Sequence, residues 1–91
     1  MDKYHVVQHF KNKEYYLVLF ISKHTETGEE LVNYRALYPP YDYYSRPIEM
    51  FYSKVDELKY PEYAGKDRFS LVNTIPNHIV KLLNQWYGND D

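Results

Sequence analysis

The sequence lacks cysteine altogether and has only three glycines and one tryptophan among its 91 residues. The absence of cysteine excludes disulfide bonds, thiolate zinc sites and a cysteine nucleophile. The longest apolar stretch, YYLVLFI, is far shorter than the roughly 20 residues that span a bilayer, and the first residues contain no apolar run of signal-peptide length. We therefore expect a cytoplasmic protein without a membrane-spanning or exported segment.

The sequence also lacks an excess of positive charge. It contains 11 Lys and Arg against 13 Asp and Glu, a formal net charge of -2, and no long block of either sign. Because neutralisation of phosphates usually dominates affinity for nucleic acid, we do not expect the chain to bind nucleic acid. Its histidines do not indicate a metal site, since His5 and His9 would lie roughly 13 Å apart along a strand. We predict neither a metal nor a cofactor.

Tyrosine is abundant instead, with 12 copies in the chain. A chain of this length forms one domain and buries only about 60–65% of its unfolded surface, so a shallow surface site suits it better than a deep cavity. A tyrosine ring is apolar and its hydroxyl is polar, which suits both a half-buried sheet and a binding surface. Composition leaves both uses of the tyrosines open.

Five runs of alternating or continuous apolar side chains predict short β-strands: residues 4–10, 15–23 and 31–38, a short edge segment before residue 47, and residues 68–72. The second run is apolar on both faces, which is typical of a central strand covered on both sides or of a small closed barrel. In the third run, Val32, Tyr34 and Ala36 share one face, and Arg35 is expected on a wet face. Asn12, in the first turn, is expected to take a left-handed backbone conformation.

The C-terminal segment has a helical period instead. Pro76 suits the first turn, Gly88 suits the stop, and Thr74 or Asn73 can cap the start, so we predict an amphipathic helix of about three turns. Hairpin-connected strands followed by one helix predict a mostly β fold, a small SH3-like barrel or roll of about five strands over residues 1–72. Residues 73–91 would then pack on the barrel or mediate assembly, giving a monomer or a homodimer.

The polar segment HTETGE, which begins at His24, separates the second and third predicted strands. Glutamates near an imidazole favour its protonated form, so His24 and Glu26 could act as general acid and base. The hydroxyls of Thr25 and Thr27 could equally satisfy the amides of a tight turn. A turn, a ligand site and an acid/base pair all remain open interpretations of this segment.

Two further features suggest binding. The planar guanidinium of Arg46 could receive a carboxylate or phosphate, or it could pair with Glu26 across the sheet. In the loop LYPPYDYY, exposed rings could form a platform for a proline-rich peptide or for unpaired bases, and its tyrosines are Tyr38, Tyr41, Tyr43 and Tyr44. The absence of a basic stripe favours a peptide or a small polar ligand over nucleic acid.

Three motifs occur in a recognisable order: HFKNKEYYLVLFISKHTETGEELVNYRALY, then SRPIEMF, and finally RF at Arg68 and Phe69. In this order the chain resembles the bacterial domain of unknown function 1653 family over about residues 7–69. The positions that match the family pattern are His24, Thr25, Glu26, Thr27, Tyr34, Leu37, Tyr38, Arg46, Pro47, Met50 and Phe51. The resemblance implies an SH3-like barrel or roll and implies no reaction, substrate or cofactor.

The interpretation that combines these observations is a small binding module with a shallow polar and aromatic site for a peptide or a small polar ligand. The predicted site consists of His24, Thr25, Glu26, Thr27, Tyr38, Tyr44 and Arg46. Two alternatives stay open. One is a small enzyme that uses His24 and Glu26, which we expect less than binding, and the other is a structural subunit that assembles through its helix.

Overall fold

The structure, a computed structural model that describes residues 4–88, contains a single sheet of five antiparallel strands. The strands are β1 (Val6–His9), β2 (Tyr15–Lys23), β3 (Glu30–Ala36), β4 (Tyr43–Pro47) and β5 (Phe69–Leu71). Their spatial order is β4-β3-β2-β1-β5, so β4 and β5 form the two edges of an open sheet. The predicted mostly β fold of about five strands with a C-terminal helix is confirmed. The open sheet corresponds to the roll rather than to a closed barrel.

Short helical segments connect and follow the strands. A four-residue helix, α1 (Ile48–Phe51), follows β4, one turn of 3-10 helix covers Pro61–Tyr63, and α2 (Asn77–Tyr87) ends the described chain. Between residues 4 and 88, no helix is long and apolar enough to cross a membrane.

The start of α2 differs from the prediction. Pro76 occupies the N-cap position, and its carbonyl accepts the amide N–H of Ile79 at 3.0 Å. The expected caps Thr74 and Asn73 are wrong, because proline, with φ of -57°, already presets the helical turn and no side chain caps it. The predicted stop is right, since Gly88 is the C-cap residue.

Both faces of the sheet are covered, because the central strand β2 carries buried side chains on both sides. Tyr16 belongs to one buried cluster and Leu17 to the other. The first cluster defines the aromatic face and comprises Val7, Tyr16, Val32, Tyr34, Ala36, Phe51 and Phe69. The second defines the helix face and comprises Val6, Leu17, Leu37, Ile79 and Leu83. Phe51 and Phe69, which flank residues 52–68, therefore belong to the aromatic face, and α2 packs on the opposite one.

The turn between β1 and β2 corrects one detail of the sequence prediction. Positive φ occurs at Lys13, with φ of 61°, and not at Asn12. The side chain of Asn12 instead closes the turn, because its Oδ1 accepts the N–H of Glu14 at 2.8 Å and its Nδ2 donates to the hydroxyl of Tyr16 at 3.0 Å. An asparagine that bonds the amide two residues ahead leaves the left-handed conformation to its neighbour.

Arg35, expected on a wet face, holds α2 to the sheet. Its guanidinium carbon lies 3.7 Å from the ring centroid of Trp86 and 4.6 Å from that of Tyr43. Its Nη1 donates to the hydroxyl of Tyr87 at 3.1 Å, and its Nε donates to the carbonyl of Tyr41 at 3.1 Å. The prediction of a wet face is wrong here, because the helix covers the arginine.

Candidate functional site

The His24 segment forms the tight end of the hairpin between β2 and β3. The Nδ1 atom of His24 accepts the amide N–H of Glu26 at 3.1 Å and, less closely, that of Thr27 at 3.4 Å. The hydroxyl of Thr27 accepts the N–H of Glu29 at 3.1 Å, and Gly28 takes a φ of 76°. All residues from His24 to Thr27 are exposed. Their polar groups close the turn, which corresponds to the turn interpretation of the motif.

Arg46 lies on the aromatic face, away from this turn. It pairs in register with Val32, whereas Glu26 lies beyond the end of β2 at the tip of the hairpin. The predicted pair between Glu26 and Arg46 is wrong, since the ion pair found between residues 4 and 88 joins Lys54 and Asp67 at 2.8 Å. Val32 in turn pairs with Ile21, and Glu26 lies five residues beyond Ile21, so the register keeps the two groups apart.

The guanidinium of Arg46 contacts aromatic side chains instead of a carboxylate. Its Nε donates to the hydroxyl of Tyr34 at 3.3 Å, and its carbon lies 6.0 Å from the ring centroid of Phe69. Arg46 itself is half-buried. A cation held over an aromatic surface is attracted by the negative faces of the rings.

The tyrosines of LYPPYDYY divide between the two faces of the sheet. Tyr41 packs edge-on against Trp86 at 5.0 Å, and Tyr43 lies beneath the guanidinium of Arg35. These two residues contribute to the helix face. The expectation of one platform of four tyrosines is therefore wrong, because neighbouring residues of a strand, such as Tyr43 and Tyr44, point to opposite faces.

Tyr38 and Tyr44 contribute to the aromatic face. The hydroxyls of Tyr38 and Tyr16 are 2.7 Å apart, and the rings of Tyr44 and Tyr34 are 5.7 Å apart. The hydrogen bond with Tyr16, together with burial, raises the pKa of Tyr38 well above its usual value. Burial and the charge of Asp42 raise the pKa of Tyr44. Both phenols are consequently neutral at physiological pH and can donate as well as accept hydrogen bonds.

The aromatic face contains a concave site of about 190 Å³, which we call the aromatic cleft. It is lined by His9, Tyr16, Tyr34, Tyr44, Arg46 and Phe69. The ring of Tyr44 is 41% exposed, whereas Phe69 is 6% exposed. The cleft thus combines a buried aromatic base, one accessible ring and one guanidinium.

A second site, which we call the cationic cleft, has a volume of about 260 Å³ and shares His9 with the first. It is lined by His9, Phe10, Lys11, Asp56, Lys59, Tyr60 and Arg68. Lys11 Nζ donates to the hydroxyl of Tyr60 at 3.2 Å, and Lys59 Nζ lies 5.6 Å from the centroid of that ring. The hydrogen bond from Lys11 lowers the pKa of Tyr60. Three cationic groups and one carboxylate therefore line this cleft.

His9, at the junction of the two clefts, is kept neutral by its surroundings. Burial, followed by the charges of Arg46, Arg68 and Lys11, lowers the pKa of His9 from 6.5 to about 4. Its Nδ1 accepts the amide N–H of Lys11 at 3.1 Å, so the neutral imidazole carries its proton on Nε2. The junction therefore offers one uncharged N–H donor.

Of the predicted site, Tyr44 and Arg46 line the aromatic cleft, Tyr38 lies on the same face against Tyr16 without lining it, and the segment from His24 to Thr27 lies elsewhere. The sequence prediction missed the contribution of His9 and Arg68 to this region. Both belong to the motifs HFK and RF, which lie far apart in the chain and meet because β1 pairs with β5 in register. In the described part of the chain, no group of three His, Asp or Glu side chains is arranged to hold a metal ion.

Comparison with known proteins supports the resemblance inferred from the motifs. The model of a family described as a protein of unknown function, DUF1653, matches residues 5–71. The match includes both strands that carry HFK and RF as well as the His24 hairpin, and it ends before α2. No curated protein and no solved structure matches the chain.

Proposed function

The chain belongs to DUF1653, a family of unknown function, and we propose that it is a small binding module whose aromatic cleft holds a small polar ligand through Arg46. The ligand carries a carboxylate or a phosphate and a flat apolar part. Its anionic group meets the guanidinium, and its apolar part meets the rings.

The state of Arg46 carries this proposal. Its Nε donates to a phenol hydroxyl, that of Tyr34, rather than to a carboxylate, and its two terminal nitrogens have no hydrogen-bond partner among residues 4–88. A partly buried charge is costly unless it is paired, and a guanidinium offers a planar fork that matches a carboxylate or phosphate. An external anion would supply the missing acceptor.

The walls of the cleft favour a small ligand over a peptide. Its volume of about 190 Å³ is below the roughly 300–1,000 Å³ of sites that enclose drug-sized molecules. The accessible ring of Tyr44 can stack on a planar group, and the hydroxyl of Tyr34 adds a polar contact. A ligand of one ring and one anionic group fits these dimensions.

The alternative of catalysis by His24 and Glu26 draws no support from this arrangement. Both residues are exposed at the hairpin tip and do not line either cleft. The cytoplasmic location expected from the absence of cysteine and of long apolar runs remains part of the proposal.

The proposal can be tested by recording amide chemical shifts while small aromatic carboxylates and aromatic phosphates are added. We expect changes at Tyr34, Tyr44 and Phe69 and none at the His24 hairpin. Arg46→Gln should weaken binding about tenfold or more, since a hydrogen-bonded charge is lost. Lys81→Gln, an exposed change on α2, removes one charge elsewhere and should leave binding unchanged. Equal binding by Arg46→Gln and wild type, or no binding by any compound, would contradict the proposal.

A further inference from the structure

The cationic cleft adjoins the proposed ligand site and contains charges that the protein itself leaves uncompensated. Lys11 and Lys59 both lie against Tyr60. Neither has a carboxylate within ion-pair distance in the described chain, where the ion pair joins Lys54 and Asp67. Two ammonium groups beside one hydroxyl repel each other unless an anion lies near them.

The third cation, Arg68, also has a neutral partner. Its Nε donates to the hydroxyl of Ser53 at 3.3 Å. The one carboxylate that lines this cleft belongs to Asp56, and its Oδ1 accepts the amide N–H groups of Leu58 at 3.0 Å and Lys59 at 3.4 Å. Asp56 is thus engaged in closing its own turn. The cleft therefore keeps a local positive charge in a chain whose formal net charge is -2.

The two clefts meet at His9, which lines both of them. One ligand can consequently reach the rings on one side and the ammonium groups on the other. His9 presents an uncharged Nε2–H donor at this junction, because its Nδ1 is occupied by the amide of Lys11. This N–H can donate a hydrogen bond to an oxygen atom that lies between the ring system and the phosphate of a ligand.

We propose that the ligand is a mononucleotide, with its base in the aromatic cleft and its phosphate in the cationic cleft between Lys11, Lys59 and Arg68. Aromatic and guanidinium surfaces stack on nucleobases, and clustered ammonium groups bind phosphate as point charges. The inference rests on the proposed function, because it assigns the flat part of the ligand to the same aromatic cleft.

The dimensions favour a single nucleotide over a nucleic acid strand. A strand-binding groove tracks several phosphates with a positively charged path and several stacking rings. Here one exposed ring, Tyr44, and one cationic cleft adjoin each other, and the chain as a whole is acidic. We expect added nucleotides to contribute little.

His9 offers an internal sensor of the bound phosphate. Burial lowers the pKa of His9 most, the charges of Arg46, Arg68 and Lys11 lower it further, and the carboxylate of Asp56 lines the cationic cleft. A phosphate dianion would offset the three cations, so the pKa of His9 should rise toward its ordinary value when the site is filled. The imidazole signal in NMR titrations reports this rise directly.

The experiment compares the four ribonucleoside 5′-monophosphates with the corresponding nucleosides, inorganic phosphate and a tetranucleotide by calorimetry and NMR. At least one monophosphate should bind about tenfold or more tightly than its nucleoside, because charge-assisted contacts are added. The double variant Lys11→Gln and Lys59→Gln should remove this difference and weaken the rise in the pKa of His9. Both lysines are exposed, so the fold is preserved, and Lys81→Gln is the matched control.

Three results would overturn the inference. These are equal affinity for nucleosides and monophosphates, a phosphate effect that survives in the double variant, and a tetranucleotide that binds more than about tenfold tighter than any monophosphate. After any of these three results, the proposed function would still hold if other aromatic anions bind and their binding depends on Arg46. If no compound shows binding that depends on Arg46, both proposals are wrong.

Discussion

Two histidines at opposite ends of β2 use the same local chemistry in different surroundings. His9 is the last residue of β1 and accepts the amide of Lys11 at 3.1 Å, and His24 directly follows β2 and accepts the amide of Glu26 at 3.1 Å. Each imidazole closes a turn through its Nδ1 atom. Only His9, however, is half-buried against rings and surrounded by cations, while His24 is exposed. A local motif therefore describes the turn, and the packing around it determines whether a site exists.

The packing comes from segments that are distant in sequence. Next to His9, β5 supplies Phe69, whose ring stacks on Phe51 at 4.3 Å with an interplanar angle of 8°. The ring of His9 lies 5.0 Å from Phe69. At the other end of β2, Phe20 is 59% exposed, so the sheet near His24 has no comparable cover. The difference between the two ends should be visible in stability measurements.

The largest effect is expected from Phe69→Ala, which removes a buried ring between His9 and Phe51. Loss of a buried phenylalanine costs about 3–5 kcal/mol of unfolding free energy. The matched change at the other end, Phe20→Ala, should cost about 0.5 kcal/mol, as exposed substitutions do. Chemical denaturation measures both. Similar losses in the two variants would show that the His24 end is as well packed as the His9 end.

Much of the fold could be predicted because its signals are local. The strand β2 was predicted with the bounds that the structure has, and the period of the C-terminal residues indicated α2. The prediction that Arg35 lies on a solvent-exposed face was wrong because its surroundings depend on a distant segment. Alternation along one strand reports where a side chain points, but not which distant element covers it. Trp86, about 50 residues further along the chain, decides the surroundings of Arg35.

The candidate site was predicted only in part for the same physical reason. Tyr44 and Arg46 lie in one strand and were identified together. The residues that complete the clefts come from the other four strands, from the turn after β1, from residues 56–60 before the 3-10 turn, and from Arg68 before β5. The cations of the clefts are spread along the sequence, so the net charge of the whole chain does not show that they lie together in the fold. The segment HTETGE suggests a site because its polar residues are contiguous. Contiguous polar residues are equally typical of a solvated turn.

The next largest effect concerns acidic pH and sharpens the comparison of the two histidines. Because the pKa of His9 is lowered to about 4 in the folded state, the unfolded chain binds a proton first as the pH falls below 6.5. The associated stability is present above pH 6.5 and is lost progressively between about 6.5 and 4. One pH unit corresponds to at most about 1.4 kcal/mol, and solvent screening of a half-buried group should limit the total loss to about 1–2 kcal/mol.

The measurement is the unfolding free energy of wild type and His9→Gln at several values between pH 7 and 4. Subtracting the variant from wild type removes the contribution of the carboxylates, which titrate in both proteins. The difference should change across this window as His9 loses its stabilising neutral state. A difference that stays constant from pH 7 to 4 would contradict the buried, cation-surrounded setting of His9 on which the comparison of the two turns rests.

The smallest expected effect is a coupling energy close to zero between Glu26 and Arg46. The two residues make no ion pair in the described structure, and their positions in the hairpin and in β4 keep them apart. We expect the losses from Glu26→Ala and Arg46→Ala to add within about 0.5 kcal/mol in the double variant, as distant substitutions do. A partly buried pair would give a much larger coupling, because either single change leaves one charge uncompensated.

The same three proteins also separate stability from binding. Glu26→Ala should leave ligand affinity unchanged, since Glu26 lies outside both clefts, and Arg46→Ala should lower it at a modest cost in stability. A double-mutant cycle by chemical denaturation together with a ligand titration gives both quantities from one set of samples. Coupling above about 1 kcal/mol would mean that the two residues interact in solution. The hairpin tip and the aromatic cleft would then form one region, and the contrast between the two ends of β2 would have to be abandoned.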